Sequence, residues 1–153
     1  MIGQIYHVGL TVLDLDRSIQ FYRDVLGLRF TGEILMEGKE TEEIFQKKNC
    51  SARVAYLNGS EENRMPPVEL IQFTDGNIEK SEASLFRTGV SEICFYTDNA
   101  EKTYRDLIEK GVECLSAPQN FDFRKDGFGR SRGFYFKDPD GIILEMMEPI
   151  ADD

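Results

Sequence analysis

The sequence predicts an α+β fold of two tandem βαβββ units, whose strands form a curved mixed sheet in the shape of a cup. The main observation is a repeat, in which YHVGLTVLDLDRSIQFYRDVLGLRF at 6–30 returns in pattern as SEICFYTDNAEKTYRDLIEKGVECL at 91–115. The two copies also end alike, in VELIQ at 68–72 and LEMME at 144–148. The 153 residues suit one compact domain, 1–153. We divide it into a first unit at 4–74, a linker at 75–88 and a second unit at 89–150.

The first unit begins with strand alternation and continues with helix signals. Residues 5–12 alternate with a period of two, and the side that holds His7 lies opposite the larger apolar side chains, which are expected to face a helix. That helix is expected to begin near Asp14 or Asp16, whose side chains can cap free amides, and to end at Gly27. A short helix is expected within 37–49 and an exposed turn at 58–67. The remaining strands of this unit are predicted at 28–36, 52–57 and 68–73.

The second unit repeats this order. Asp98, with Glu101 three residues later, resembles a capping box that opens a helix, and Gly111 ends it. The buried stripe of this helix is predicted to consist of Tyr104, Leu107 and Ile108. Residues 138–141, DPDG, predict a tight turn between two strands. The strands of this unit are predicted at 90–97, 112–116, 132–137 and 142–147, with a long loop at 118–131.

Charge and cysteine usage exclude several classes of function. The formal net charge of −10 repels nucleic acid and anionic membranes, and no apolar run is long enough to suggest a membrane span. The three cysteines are widely spaced, and the first residues lack the pattern of a signal peptide. We therefore expect a cytoplasmic protein whose partner is a small-molecule substrate, with no role for nucleic acid or a membrane.

Four residues of metal-binding or acid-base type occupy two pairs of equivalent positions in the repeat. Superposing the copies places His7 over Glu92 and Glu69 over Glu145. Strand alternation turns all four side chains away from the helices and into the cup. Three carboxylates in such a concavity are costly unless they are paired, protonated or bound to a cation. The repeat therefore predicts a site for a divalent ion.

The alternative is purely structural: His7 is a half-buried histidine with its hydrogen bonds satisfied, and the glutamates pair with Arg53, Arg132 or solvent.

One imidazole with several carboxylates is a mainly hard donor set, which shifts preference from Zn²⁺ toward Mn²⁺, Mg²⁺ or Fe²⁺ and leaves Ni²⁺ and Co²⁺ open. Cys94 lies two residues from Glu92 on the same face and is interpreted as a packing residue.

The predicted loop at 118–131 carries a second, weaker signal. Its aromatic residues interleave with basic side chains, and such a loop on an acidic protein can close over an anionic substrate. The alternative is a solvated loop anchored by its aromatic side chains. The candidate substrate-binding residues are Arg124, Arg130 and Arg132.

The doubled unit, together with HVGLTVLDLDRSIQFYRDVLGL, VELIQF and KDPDGIILEMME, resembles the vicinal oxygen chelate superfamily, the group of glyoxalase I, bleomycin-resistance proteins and extradiol dioxygenases. The resemblance implies the glyoxalase-like fold and a divalent metal (Mn, Ni, Zn, Co, Fe or Mg). The metal ligands it implies are His7, Glu69, Glu92 and Glu145. Glu92 departs from the histidine that glyoxalase I and the epimerases typically have there, and the single histidine of this chain fits poorly with the two that extradiol dioxygenases use.

The resemblance further implies a lyase or isomerase that acts on a small α-hydroxycarbonyl, ketoacid or thioester through an enediolate. Glu145 or Glu69 would be the catalytic base. Members of the group commonly dimerise, so a homodimer is expected, and the cup can close within one chain or between two. The alternative function is a metal-free protein similar to bleomycin-resistance proteins, which binds a cationic drug in an acidic cleft.

Overall fold

The computed structural model describes residues 3, 5–59, 67–74, 76 and 78–151. The chain forms two compact units, Met1–Lys80 and Ser81–Asp153. The boundary between them lies inside the predicted linker at 75–88. The exposed turn predicted at 58–67 lies largely outside the described residues.

The first unit is a four-stranded mixed sheet with one side covered by a helix. Its sheet order is β1-β4-β3-β2, in which β1 pairs with β4 in parallel and the other pairs are antiparallel. Helix α1 continues as a π-helical turn over Phe21–Val25. The elements are β1 (Val8–Thr11), α1 (Leu15–Gln20), β2 (Arg29–Met36), α2 (Lys39–Phe45), β3 (Ala52–Asn58) and β4 (Val68–Phe73).

Local signals in the sequence account for the position of α1. The Asp14 side chain accepts a hydrogen bond from the Arg17 amide and caps the helix, and Gly27 adopts a positive φ just beyond its end. Helix α1 packs against β3 and β4, so its apolar side and the facing strand positions form the core of this unit. That core contains Leu15, Tyr22, Leu57, Val68 and Leu70, all fully or almost fully buried.

The second unit repeats the architecture, with sheet order β5-β8-β7-β6. Here β5 pairs with β8 in parallel, and β8, β7 and β6 are antiparallel neighbours. The DPDG segment forms the predicted turn: the Asp138 side chain accepts from the amides of Asp140 and Ile142, and Gly141 has a φ of 85°. The elements are β5 (Ile93–Tyr96), α3 (Ala100–Glu109), β6 (Gln119–Phe123), β7 (Gly129–Lys137) and β8 (Ile143–Ile150). The predicted α+β class is confirmed.

The start and the buried face of α3 differ from the prediction. The cap is Asn99, whose side chain accepts from the Lys102 amide, so the capping box assigned to Asp98 is wrong by one residue. The predicted buried stripe is correct for Leu107 but wrong for Ile108, which is 47% exposed. A ten-residue helix covers only part of a four-stranded sheet, so a side chain at the margin of its apolar stripe stays in solvent.

The region 112–131 also differs from the prediction. The strand predicted at 112–116 reduces to an isolated bridge between Cys114 and Phe136. The predicted loop is a hairpin instead: β6 pairs with β7, and a short 3₁₀ turn at Arg124–Asp126 joins them. Gly127 and Gly129 both have positive φ, which permits the tight reversal. Among the described residues, no helix combines the length and apolar character that a membrane crossing requires.

Candidate metal centre

In the first unit, strand pairing brings His7 and Glu69 together. Glu69 in β4 lies opposite Gly9 in β1, and His7 immediately precedes that strand. The His7 Nε2 atom lies 3.2 Å from Glu69 Oε2. The Glu69 side chain is 12% exposed and that of His7 is 37% exposed, so the carboxylate is the more deeply placed of the two. His7 and Glu69, two of the candidate ligands, therefore lie next to each other within the first unit.

Tyr56 contacts the second oxygen of the Glu69 carboxylate. Tyr56 in β3 is the cross-strand partner of Glu69, and its hydroxyl donates a hydrogen bond to Glu69 Oε1 at 3.0 Å. Burial, followed by this hydrogen bond and the charge of Glu69, raises the pKa of Tyr56, so the phenol keeps its proton and remains a donor. Each oxygen of Glu69 thus has its own neighbour, Tyr56 on one side and His7 on the other.

Gly9 provides the space that this carboxylate occupies. A Cβ atom at position 9 would lie 3.2 Å from Glu69 Oε2 and 3.3 Å from Ile71 Cδ1, which is tighter than nine in ten real contacts of that kind. The absence of a side chain therefore allows Glu69 Oε2 to lie over the β1 backbone toward His7.

In the second unit, Glu145 has two side-chain neighbours on adjacent strands. In β8 it lies opposite Cys94 of β5 and Tyr135 of β7. Cross-strand partners share one face of a sheet, so both side chains lie beside that of Glu145. The residue Cys94 is exposed, but its sulfur is partly buried; this burial, with the contact to Glu145, raises the pKa of the thiol to about 12. Burial and the charges of Glu145 and Glu92 likewise raise the pKa of Tyr135. The Cys94 thiol donates a long hydrogen bond to the backbone oxygen of Phe95, 3.9 Å away.

Glu92 stands just before β5, as His7 stands just before β1. Its charge acts on Cys94 and on Tyr135, the same two groups that Glu145 contacts. Both candidate glutamates of the second unit therefore influence the same two side chains.

Tyr56 and Tyr135 were missed by the sequence reasoning. The strand before the last in each unit carries a tyrosine, and in both units it lies directly opposite the candidate glutamate. Superposing the two last pairs of strands, instead of the first and last strands alone, would have found them. The repeat therefore contains three matched positions where the sequence analysis recognised two.

The arginines of the structural alternative have other partners. Arg53 forms a two-carboxylate ion pair with Asp16 and Glu33, and these interactions raise its pKa further. Arg132 donates to the Asn120 side chain and lies 3.9 Å from Glu101. Neither arginine has a described contact with Glu69 or Glu145. The described contacts therefore do not support the alternative in which these arginines pair with the candidate glutamates.

The candidate substrate-binding arginines lie on or beside the β6–β7 hairpin. Arg124 pairs with Asp122, where its hydrogen bonds and charge lower the pKa of the aspartate to about 2, and Arg130 donates to the backbone oxygen of Ala151. Arg130 and Arg132 are an odd number of residues from Tyr135 on one regular strand, so they belong to the opposite face of the sheet from Tyr135 and Glu145. Arg130 and Arg132 therefore lie on the other side of the sheet from the candidate ligand of this unit.

The family model of the Glyoxalase/Bleomycin resistance protein/Dioxygenase superfamily matches residues 4–146. The chain belongs to this superfamily. The resemblance found in the sequence motifs is thereby confirmed.

The curated relatives of this chain include a lyase and an epimerase. The chain is 26% identical over 152 residues to lactoylglutathione lyase of Schizosaccharomyces pombe, and this alignment spans 94% of this chain and 47% of the relative. It is 25% identical over 147 residues to mitochondrial methylmalonyl-CoA epimerase of Mus musculus, spanning 95% of this chain and 72% of the relative.

A solved glyoxalase family protein from Bacillus cereus has the same fold. The TM-score is 0.83 at 17% identity, and the match covers 99% of this chain and 97% of the other. At this level of identity the likeness shows the fold and leaves the reaction open.

Members of this superfamily commonly use a divalent metal. Within the ranges that the structure describes, no three His, Cys, Asp or Glu side chains are gathered as a complete metal site. The first unit nevertheless supplies a fitting pair, an imidazole nitrogen beside a carboxylate oxygen, and the second places Glu145 on the strand next to β5, which Glu92 immediately precedes. The Gly9 position leaves the carboxylate oxygen room to be a ligand. The donors thus fit a divalent ion, and the four-residue site stays a prediction.

Proposed function

We propose that the protein is a divalent-metal-dependent lyase or isomerase of the glyoxalase superfamily. Its reaction moves a proton at a carbon next to a carbonyl, in a small α-hydroxycarbonyl, ketoacid or thioester. The observation that carries this proposal is the contact between His7 Nε2 and Glu69 Oε2 at 3.2 Å, with Tyr56 on the other carboxylate oxygen. Similarity to a lyase and to an epimerase supports the reaction class.

His7, Glu69, Glu92 and Glu145 would hold the metal. A neutral imidazole and three carboxylates leave a formal charge of about −1 around a divalent ion, and such a donor set accepts Mn²⁺, Mg²⁺ or Fe²⁺ as well as Ni²⁺, Co²⁺ or Zn²⁺. When bound, the metal supplies Lewis-acid stabilisation of the negative charge that develops on a substrate oxygen.

The chain's own residues would move the proton. Glu145 or Glu69 accepts it from the substrate carbon, since both are carboxylates in partly buried positions. The hydrogen bond from Tyr56 keeps the Glu69 carboxylate in one orientation, and Tyr135 is placed beside Glu145 to do the same.

Metal content tests the first part of the proposal. Protein purified without chelator should contain about one divalent ion per chain, and His7→Ala and Glu145→Ala should each lose it. Glu43→Ala is the matched control, because Glu43 is an exposed glutamate on α2 whose ion pair is with Lys39. If wild-type protein holds no ion even after exposure to Mn²⁺, Ni²⁺ and Zn²⁺, the metal-dependent function is wrong and the drug-binding alternative gains support.

Proton exchange tests the second part. S-lactoylglutathione and methylmalonyl-CoA, incubated with metal-loaded protein in D₂O, are the first substrates to examine for deuterium uptake at the carbon next to the carbonyl. Glu145→Gln and Glu69→Gln should keep the fold, seen by circular dichroism, and the variant that replaces the base should lose turnover. Full activity in both variants would contradict the assignment of either glutamate as the base.

A homodimer and a cytoplasmic location are further proposals. The three cysteines, Cys50, Cys94 and Cys114, are all free thiols in the structure, which supports a reducing compartment. Light scattering coupled to size exclusion measures the oligomeric state, and a mass of one chain would contradict the dimer.

A further inference from the structure

We propose that Tyr56 and Tyr135 are a duplicated pair of positioning residues, whose hydroxyl groups each hold one oxygen of a glutamate so that its other oxygen serves the metal. This inference rests on the proposed metal-dependent function. It adds two residues that contact no substrate and act through Glu69 and Glu145.

The two tyrosines occupy equivalent places in the repeat. Tyr56 faces Glu69 across the β3–β4 pair, and Tyr135 faces Glu145 across the β7–β8 pair. Tyr56 donates to Glu69 at 3.0 Å, and Tyr135 lies beside Glu145, whose charge helps to raise the pKa of the phenol. The same tyrosine–glutamate pair thus occurs in each half, although the strands around it differ in sequence.

The geometry of Glu69 shows what the hydroxyl does. A carboxylate with both oxygens free can bind a metal through one oxygen or both, and it can rotate between these modes. Here Tyr56 engages Oε1, while Oε2 faces His7 Nε2. The hydroxyl therefore selects one oxygen for the metal and fixes its direction, as outer hydrogen bonds do for metal ligands in general.

The two units differ in the residue that lies opposite the glutamate on the neighbouring parallel strand, so the two tyrosine variants are expected to differ in the size of their effect. Opposite Glu69 stands Gly9, which has no side chain to donate. Opposite Glu145 stands Cys94, whose thiol donates weakly to the backbone oxygen of Phe95 and is placed where it can donate to the glutamate instead. Loss of the hydroxyl at 56 removes the donor on Glu69 Oε1, whereas loss of the hydroxyl at 135 leaves the Cys94 thiol beside Glu145.

The test is Co²⁺ binding to chelator-treated protein, followed by calorimetry and by the visible absorption of the bound ion. Tyr56→Phe should weaken Co²⁺ binding by about 10- to 100-fold, the usual effect of removing an outer hydrogen bond from a metal ligand. Tyr135→Phe should weaken it less, and Tyr135→Phe combined with Cys94→Ala should weaken it as much as Tyr56→Phe. The absorption spectrum should change in the variants that lose affinity, because a freed carboxylate changes its mode of binding.

Tyr104→Phe is the matched control. Tyr104 lies on α3 and packs edge-on against Phe134, on the helix side of the sheet, so this variant should bind Co²⁺ as the wild type does. Thermal unfolding of the metal-free proteins separates positioning from a structural role. We expect Tyr56→Phe and Tyr135→Phe to shift the midpoint no more than Tyr104→Phe does.

The outcomes separate this inference from the proposed function. If wild-type protein fails to bind Co²⁺ and also fails to bind Mn²⁺, Ni²⁺ and Zn²⁺, the proposed function is refuted and the inference falls with it. If wild type binds Co²⁺ stoichiometrically while Tyr56→Phe and Tyr135→Phe bind it equally well, the inference alone is refuted. A loss of affinity that accompanies an equally large loss of metal-free stability also refutes it, because the tyrosines would then be structural.

Discussion

Replacing Gly9 by alanine is the most direct perturbation of the candidate site that the structure offers. The new Cβ atom would lie 3.2 Å from Glu69 Oε2 and 3.3 Å from Ile71 Cδ1, and contacts this close require the neighbours to give way by a few tenths of an ångström. The carboxylate is the free end of a flexible side chain, so we expect it to move away from β1 and change its distance to His7.

Gly9→Ala is expected to change the metal affinity more than the stability of the metal-free protein. Metal-ligand distances tolerate deviations of about 0.2 Å, so a displacement of this size should weaken metal binding by roughly tenfold, equal to about 1.4 kcal/mol. The free energy of unfolding gains about 0.4–1 kcal/mol from the reduced freedom of the unfolded chain, and the tight contacts offset part of that gain. Gly9→Ala should therefore lower metal affinity while leaving metal-free stability within about 1 kcal/mol of wild type.

Titration calorimetry with the ion found in the purified protein measures the affinity, and urea unfolding of the metal-free protein measures stability. Gly59→Ala is the control in the same unit, because its Cβ would make only an ordinary contact, 3.6 Å from Leu28 Cδ2. That variant should bind metal as wild type does. Wild-type affinity in Gly9→Ala, with the fold intact, would show that the position of Glu69 Oε2 does not govern binding.

Three further predictions concern the second unit. Gly133→Ala should destabilise it by about 1–3 kcal/mol in urea unfolding, because the new Cβ would lie 2.9 Å from the backbone oxygen of Met146, which cannot turn aside as a side chain can; a neutral effect would contradict this. Asn99→Ala should cost about 1 kcal/mol by the same measurement, since the Lys102 amide loses its capping acceptor, whereas Asn99→Asp should retain stability. In metal-free protein Cys94 should react slowly with iodoacetamide at pH 8 despite its exposure, because a thiol with a pKa of about 12 is almost fully protonated there; rapid labelling located by peptide mass spectrometry would contradict the raised pKa.

Much of the fold followed from short-range patterns. The helix start near Asp14 or Asp16, the helix ends at Gly27 and Gly111, and the turn that begins at Asp138 depend on residues close together in the chain. The structure has the two ends and the turn, and it uses Asp14 as the cap. Where local signals compete, the prediction was wrong: Asp98 and Asn99 are adjacent potential caps, and the structure uses Asn99. Their hydrogen-bonding chemistry is similar, so the sequence did not distinguish them.

The hairpin at 119–133 and the two tyrosines needed the tertiary structure. Phe121 and Phe123 alternate as in a strand, but only pairing with β7 satisfies the backbone of this exposed segment and makes it a strand. Tyr56 is separated from Glu69 by 13 residues, and their contact depends on the register of β3 and β4. A shift of one residue would turn every side chain of a strand to the other face.

By itself, the sequence determined that the chain is a doubled unit and that His7, Glu69, Glu92 and Glu145 are matched positions, because a repeat with period-two alternation assigns each side chain to a face. The tertiary structure decided which side chains neighbour the two strand glutamates: Tyr56 and His7 contact Glu69, and Tyr135 and Cys94 are the cross-strand partners of Glu145. The physical reason is that a face is a local property of one strand, whereas a contact requires the register between strands, which backbone hydrogen bonds between distant segments determine.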